Sequence, residues 1–222
     1  MSFTSSFSNL RHGLFYSLIT SRKYQTITLG DAWTWTIDPS EMSAQSVVYC
    51  AGVGDDISFE KQLVKRFGCE VTLLDPSPTG EITMSLPENQ DTKLKYEKAG
   101  LADKDGEIVL GVPKNPTAAS YFMTADTQGG MRFPSKSLPS LMQKQGHNRI
   151  DLLKMDIEGF EYGILRQICA EKIPIRQICV EFHHSIVPGI ARSETIKIIL
   201  KLMRAGYRLI HRKDWDHTFV KR

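Results

Sequence analysis

The sequence predicts an α/β protein built on a doubly wound, mostly parallel sheet, and three observations carry that prediction. Short apolar runs alternate with amphipathic stretches from residue 47 onward. Several of those runs stop at a glycine-containing or acidic turn, as strands do when they feed a helix. No repeat, low-complexity tract or Pro/Gly-rich linker divides the chain, so residues 33–222 read as one domain behind a helical or irregular lead-in, 1–32.

Ala32 to Ile37 reads as a half-buried strand in which Trp33 and Trp35 alternate with threonines, as core or edge residues. Val47 to Cys50 is the next strand, ending at a glycine turn. Phe59, Leu63, Val64 and Phe67 then share one helix face, and Gly68 closes that helix. Val71 to Leu74 is a strand stopping at Asp75-Pro76. Leu94 to Ala99 and Glu107 to Val112 follow as strands, then a loop with Pro113 and Pro116 and a short helix from Leu138 to Lys144. Ile150 to Asp156 is a strand running into Glu158-Gly159, and Phe160, Ile164, Leu165, Ile168 and Cys169 mark the buried face of the helix behind it. Gln177 to Phe182 is another strand. Thr195 to Arg204 is a helix with Ser193 as its N-cap. Tyr207 to His211 and Thr218 to Val220 close the chain as an antiparallel pair, with His211 and His217 expected at the surface.

Composition narrows the class. With 222 residues, 41% hydrophobic and 24% charged, the chain is neither collagen-like, low-complexity nor a disulfide scaffold. A net charge of +3 gives no electrostatic ground for a nucleic-acid partner. Cys50, Cys69, Cys169 and Cys179 show no C-x-x-C spacing and read as buried small hydrophobes in a reducing compartment. The best N-terminal apolar stretch, Leu14 to Ile19, falls far short of the roughly 20 residues of a membrane span, so a cytoplasmic protein without a span is expected. The basic ends Arg212-Lys213 and Lys221-Arg222 read as solvated, and Arg132, Lys136 and Arg192 lie in loops that could line a substrate mouth.

In such sheets ligands bind beyond the carboxyl ends of the strands, and polar residues cluster there. The first cluster is the turn Ala51-Gly52-Val53-Gly54-Asp55-Asp56, where glycines let a ligand approach the backbone. Asp75, 21 residues beyond Gly54, ends the next strand, where a carboxylate can accept both hydroxyls of a ribose. A dinucleotide site prefers a third glycine, but Ile57 stands there, and Asp55 and Asp56 would oppose a pyrophosphate. The two carboxylates suit a cationic ligand bearing an ammonium and a sulfonium, which favours S-adenosylmethionine over NAD. The second cluster holds Asp151, Lys154, Asp156, Glu158 and Glu161. Helix-end electrostatics account for Glu158 and Glu161, but not for Lys154 and Asp156, charged groups in an apolar strand.

The stretch Leu153-Lys154-Met155-Asp156-Ile157-Glu158-Gly159-Phe160-Glu161-Tyr162-Gly163-Ile164-Leu165 resembles the K-x-D-x-E-G-x-E-x-x-x-L signature of FkbM-type methyltransferases. Residues 48–60, 100–107, 178–183 and 206–209 are similar to further segments of that family, so the resemblance spans roughly 33–220. It implies a seven-stranded Rossmann-like fold, S-adenosylmethionine as methyl donor, and transfer to a hydroxyl of a small molecule or sugar. It also implies donor contacts at Tyr49, Ala51, Gly52, Gly54, Asp75, Leu101, Ala102 and Asp156, with either Asp55 or Asp56 at the methionine ammonium. Gly52 is expected to keep the methionine approach clear. Many members carry an acidic residue where this chain has Tyr49 and Cys50.

The third cluster is Cys179-Val180-Glu181-Phe182-His183-His184. Cys179, Glu181 and His183 alternate onto one face with metal-ligand residue types, yet core plus surface is the preferred reading, and no metal is expected. The catalytic candidates are Asp156, Glu181, His183 and Lys154, with His183 as base and Asp156 orienting or deprotonating the acceptor. A nicotinamide-dependent oxidoreductase and a non-catalytic adenosyl-binding domain are the alternatives.

Overall fold

The computed structural model describes residues 13–111, 121–124, 129–184, 187 and 189–221. The first twelve residues of the lead-in, Val112, the loop prolines Pro113 and Pro116, and Arg222 lie outside the described residues. Residues 13–19 form α1. The elements that follow are β1 (Ile27–Leu29), β2 (Trp35–Ile37), β3 (Val47–Ala51), α2 (Ser58–Phe67), β4 (Glu70–Leu74), α3 (Pro78–Ser85) and β5 (Leu94–Glu97). Then come β6 (Gly100–Leu101), β7 (Gly106–Gly111), β8 (Phe122–Met123), β9 (Met131–Lys136) and α4 (Leu138–Gln145). The chain closes with β10 (Ile150–Met155), α5 (Glu161–Glu171), β11 (Ile175–Glu181), α6 (Arg192–Arg204), β12 (Arg208–Lys213) and β13 (Asp216–Val220).

The expected mixed α/β architecture with a mostly parallel central sheet is present. Its strand order is β12-β13-β11-β10-β3-β4-β5, and β13 runs antiparallel to both of its neighbours. Side chains of a strand alternate between faces, so β3 sends Tyr49 and Ala51 to one core layer and Val48 and Cys50 to the other. The first layer holds Ile150, Leu153, Ile164, Leu165 and Ile199; the second holds Trp35, Ile37, Phe59, Leu63 and Leu73. Tyr16 of α1 and Leu29 of β1 are buried in these layers, which ties the lead-in to the sheet. Central β10 is buried along its whole length. Asp151 within it is satisfied by the Val47 amide at 2.9 Å and by Arg149 at 3.2 Å.

Four features depart from expectation. Helix α3 was not legible, because it has almost no amphipathic pattern; local chemistry starts it, with Pro78 in its first turn and the Ser77 hydroxyl accepting from Gly80 N at 3.1 Å. A second sheet, β6-β9-β7-β8, stands beside the main one around a small core of Ala102, Ile108 and Leu110. Helix α6 begins at Arg192 behind Ala191, so Ser193 sits inside the first turn and is not the cap. His217 is buried against Tyr16, Phe182 and Phe219, because an antiparallel β13 turns it into the core. No helix of the described residues is long and apolar enough to cross a membrane. All four cysteines are free, and Cys50, Cys69 and Cys179 are buried.

Candidate active site

A cavity of about 700 Å³ opens at the carboxyl ends of β3, β4, β10 and β11. That is the size class of a cofactor-plus-substrate pocket. It has two ends of different character.

The glycine turn makes one end. Gly52 N continues the sheet ladder by donating to Leu74 O at 2.9 Å. Gly52 sits at φ +86°, and a Cβ there would lie 1.8 Å from the backbone oxygen of Asp156. Strand packing alone therefore demands a glycine here, and Gly52 also lines the cavity. Gly54, at φ +57°, has open space where a Cβ would stand and lines the cavity. Asp75 ends β4 as expected, yet its oxygens are already engaged. One accepts from Val53 N and Gly54 N at 2.9 and 3.1 Å, and the other accepts from Ser77 N at 2.8 Å. The carboxylate thus holds the glycine loop in shape while lining the cavity. Gly80 of α3 is a glycine because the Asp75 side chain lies against it.

Asp55 and Asp56 were expected at an ammonium, and both line the cavity, but tryptophan and serine hold them. Asp56 accepts from Ser58 N, Ser58 Oγ and Trp33 N, and Asp55 accepts from Trp33 Nε1 at 3.4 Å. Burial works against ionisation of Asp56, but the bonds from Ser58 and Trp33 outweigh it and hold its carboxyl below the usual range. Trp35, 5% exposed, packs in the second core layer as expected, Trp33 is 65% exposed, and both border the cavity.

Lys154 crosses from β10 under the loop. Its ammonium donates to Gly52 O at 2.5 Å and lies 5.4 Å above the Trp35 ring. Burial opposes its charge, but buried Glu60 of α2, and then Asp156, outweigh that and raise its pKa. Lys154 therefore ties the loop to β10 while lining the cavity. Three expected donor contacts fall outside the cavity lining. Tyr49 and Ala51 point into the opposite layer by strand alternation; Tyr49 Oη bonds His147 Nδ1, and Ala51 gives only its carbonyl, to Asp156 N. Ala102 faces the second sheet, where its amide donates to Lys136 O. Leu101 does line the cavity.

The other end is assembled by the turns after β10 and β11. Asp156, Glu158, Glu181 and His183 meet there. His183 is 3% exposed, and its Nε2 faces Asp156 Oδ1 at 3.6 Å and Glu158 Oε2 at 3.5 Å. Its Nδ1 lies 3.3 Å from Glu161 Oε1, which also accepts from His183 N at 2.9 Å. The second Glu161 oxygen accepts from Gly159 N at 2.8 Å. Burial opposes protonation of His183, but Glu161, with Glu158 and Asp156 behind it, raises its pKa to about 9. Burial and then the Asp156 charge push Glu181 up to about 8 and Asp216 up to about 6. With Glu161 at Nδ1 and two carboxylates facing Nε2, both ring nitrogens are committed to this acidic cluster, which counts against His183 as the base expected of it.

The expected alternation of Cys179, Glu181 and His183 onto one face also fails. Cys179 lies in the core beside Thr36 and Thr218, while His183 is past the strand end, where the chain has turned. Arg132 and Lys136 face Glu107 and Asp105, and neither they nor Arg192 border the cavity. Sequence reasoning missed Glu161 as the anchor of His183, together with Trp215, Tyr121 and Phe122 on the cavity wall. Glu161 carried a signal, since it sits two residues after Gly159, whose amide it accepts from, in the acidic stretch Asp156 to Glu161.

The family model for the methyltransferase FkbM domain matches residues 31–209, which takes in the cavity lining described above apart from Trp215. The chain belongs to this family. The FkbM domain here is 26% identical over 180 residues to the rat protein named "Probable methyltransferase-like protein 24", covering 79% of this chain and 43% of that one. The human protein of the same name is 26% identical over 174 residues, covering 77% and 41%. The chain thus spans less than half the length of the curated relatives it matches. Among solved structures, a Pyrococcus furiosus methyltransferase superposes with a TM-score of 0.37 and 10% identity, covering 82% of this chain and 77% of that one. That superposition is loose.

Proposed function

We propose that this FkbM domain is an S-adenosylmethionine-dependent O-methyltransferase acting on a hydroxyl of a small molecule or sugar, on a Rossmann-like sheet. The observation that supports it best is the two-ended cavity. One end offers a glycine loop shaped by Asp75, and the other gathers acid–base groups. The donor set fits such a cofactor. The cavity wall is rich in carboxylates, with Asp55, Asp75, Asp156 and Glu181 among them, which favours a cationic sulfonium over an anionic dinucleotide. Trp33, Trp35 and Leu101 supply apolar walls for an adenosine.

S-adenosylmethionine, when bound, supplies an electrophilic methyl group. The chain's own residues do the rest. Lys154 and Asp75 hold the glycine loop rigid, which fixes the geometry of the donor end. Asp156 and Glu181 border the far end, where the acceptor hydroxyl must lie in line with the methyl group. Asp156 orients that hydroxyl, and Glu181, once ionised, takes its proton as the new C–O bond forms, so turnover should rise with pH through about 8. The aromatic rings of Tyr121, Phe122 and Trp215 exclude water from the acceptor.

The test has two stages. Calorimetry should detect S-adenosylhomocysteine but not NADH, and a panel of hydroxyl compounds with labelled methyl donor should then reveal an acceptor. Binding of NADH alone would overturn the reading. Donor binding without transfer to any acceptor class would leave a non-catalytic adenosyl-binding domain.

A further inference from the structure

Asp156, Glu158 and His183 bring three potential metal-ligand atoms within 4.8 Å of one another. They come from two adjacent strand ends, β10 and β11, and meet at the far end of the cavity. The separations of His183 Nε2 from the two carboxylates, 3.6 and 3.5 Å, are too long for good hydrogen bonds. They are close to the edge of a coordination polyhedron, about 3.0–3.5 Å when each ligand stands about 2.1 Å from a metal.

The histidine supplies an independent observation. It is 3% exposed, and Glu161, fully buried, grips its Nδ1 side and its backbone amide through one oxygen. Glu161 can accept there only if Nδ1 carries the hydrogen. With Glu161 on the Nδ1 side, Nε2 is turned toward Asp156 and Glu158, the side from which an ion would be held. A carboxylate behind the distal nitrogen of a buried histidine is also the usual outer partner of a metal-bound imidazole. Glu158 holds its place at φ 51°, a left-handed backbone that a residue with a side chain rarely adopts without a local demand.

We infer that Asp156, Glu158 and His183 form a divalent-cation site, with Glu161 as the residue that positions His183. One nitrogen and two carboxylate oxygens suit an ion of borderline hardness such as Mn²⁺, Co²⁺ or Zn²⁺. The remaining coordination positions face the cavity. On the methyl-transfer reading, an acceptor hydroxyl entering one of them would ionise more readily, its O–H bond breaking with the proton passing to Glu181. The site itself stands on the geometry of the cluster alone.

The test is a Mn²⁺ titration of the full chain after EDTA treatment and buffer exchange, without methyl donor, read by the loss of the free-ion electron paramagnetic resonance signal. One ion per chain is expected. His183→Gln and Asp156→Asn should each weaken binding ~10-fold or more, and Glu161→Gln ~10-fold. Pulsed resonance should show nitrogen coupling in the wild type that disappears in His183→Gln. Melting curves identify any variant that fails to fold, and the remaining variants then decide. Absence of Mn²⁺ binding by the folded wild type, or binding unchanged in the folded variants, would overturn the site. Because no donor is present, retained Mn²⁺ binding alongside failed S-adenosylhomocysteine binding would sink the methyl-transfer reading and leave the ion site standing.

Discussion

The two ends of the cavity are built in opposite ways. At the glycine-loop end, every carboxylate oxygen of Asp75 is bonded to a backbone amide, and Asp56 is held by Ser58 and Trp33. The charges there are used to make a shape. At the far end, Asp156, Glu158 and Glu161 surround a single histidine, with Glu181 beside them and Asp216 close enough to feel the Asp156 charge. The charges there are kept in excess, and burial makes that excess unfavourable. A rigid, internally satisfied cradle beside an electrostatically loaded pocket is the division that a group transfer requires. On the methyl-transfer reading, one end holds the donor still and the other acts on the acceptor.

The sharpest break in that comparison comes from the two glycines of the turn. Gly52→Ala drives a methyl group into the Asp156 backbone and should destabilise the domain by about 3 kcal/mol or more, visible as insoluble protein or a collapsed melting temperature. Gly54→Ala meets open space and should cost only about 1–2 kcal/mol for its left-handed backbone. Equal behaviour of the two would mean that the loop does not lie against β10.

Asp156→Asn comes next. It keeps the size of a half-buried side chain and removes its charge, so turnover should fall ~10²-fold or more while S-adenosylhomocysteine affinity changes little. Near-normal turnover would remove Asp156 from the working end. Asp75→Ala should instead act on the cradle: three amides lose their acceptor, donor affinity should drop ~10-fold in calorimetry, and the melting temperature should fall as well. An affinity loss without any loss of stability would assign Asp75 to the ligand and not to the loop.

The smallest effect probes the charge excess itself. Burial and then Asp156 raise Asp216 from 3.8 to about 6. A carboxyl raised in the folded state favours folding only while protonated, so its ionisation destabilises the domain progressively as pH climbs from about 4 through about 6. Asp216→Asn, melted in EDTA, should therefore gain about 2–4 °C at pH 7 and almost nothing at pH 4. A gain that does not depend on pH would mean that the charge is not what strains this end.

Much of the scaffold was legible in the sequence because its signals are local. Val47 to Cys50, Val71 to Leu74 and Ile150 to Met155 are apolar runs whose burial on both faces follows from their composition. The helix from Phe59 to Phe67 announced itself by its spacing, and Gly68 ends it with a left-handed φ of 71°. By contrast, α3 lacked an apolar stripe, and β6 and β8 are two residues long, too short to show a period. The cofactor contacts assigned to Tyr49 and Ala51 failed because the cavity lies past the end of β3, while strand alternation turns both side chains into the core.

By itself the sequence determined the strands of the main sheet and the helices α2, α4, α5 and α6, the glycine turn, the acid at the end of β4 and the charged stretch from Lys154 to Glu161. Each of these is fixed by residue types within a dozen positions of one another. Only the tertiary structure decided what those residues do. Parallel pairing sets β10 beside β11, with Met155 opposite Val180, and so carries Asp156 and Glu158 to His183 across more than twenty residues of chain. The same packing commits Asp75 to the loop amides, gives Gly52 to the Asp156 backbone and ties Lys154 to the Gly52 carbonyl. Strand spacing of about 4.8 Å makes neighbours of residues far apart in sequence, and a linear pattern carries no record of which strand ends will meet.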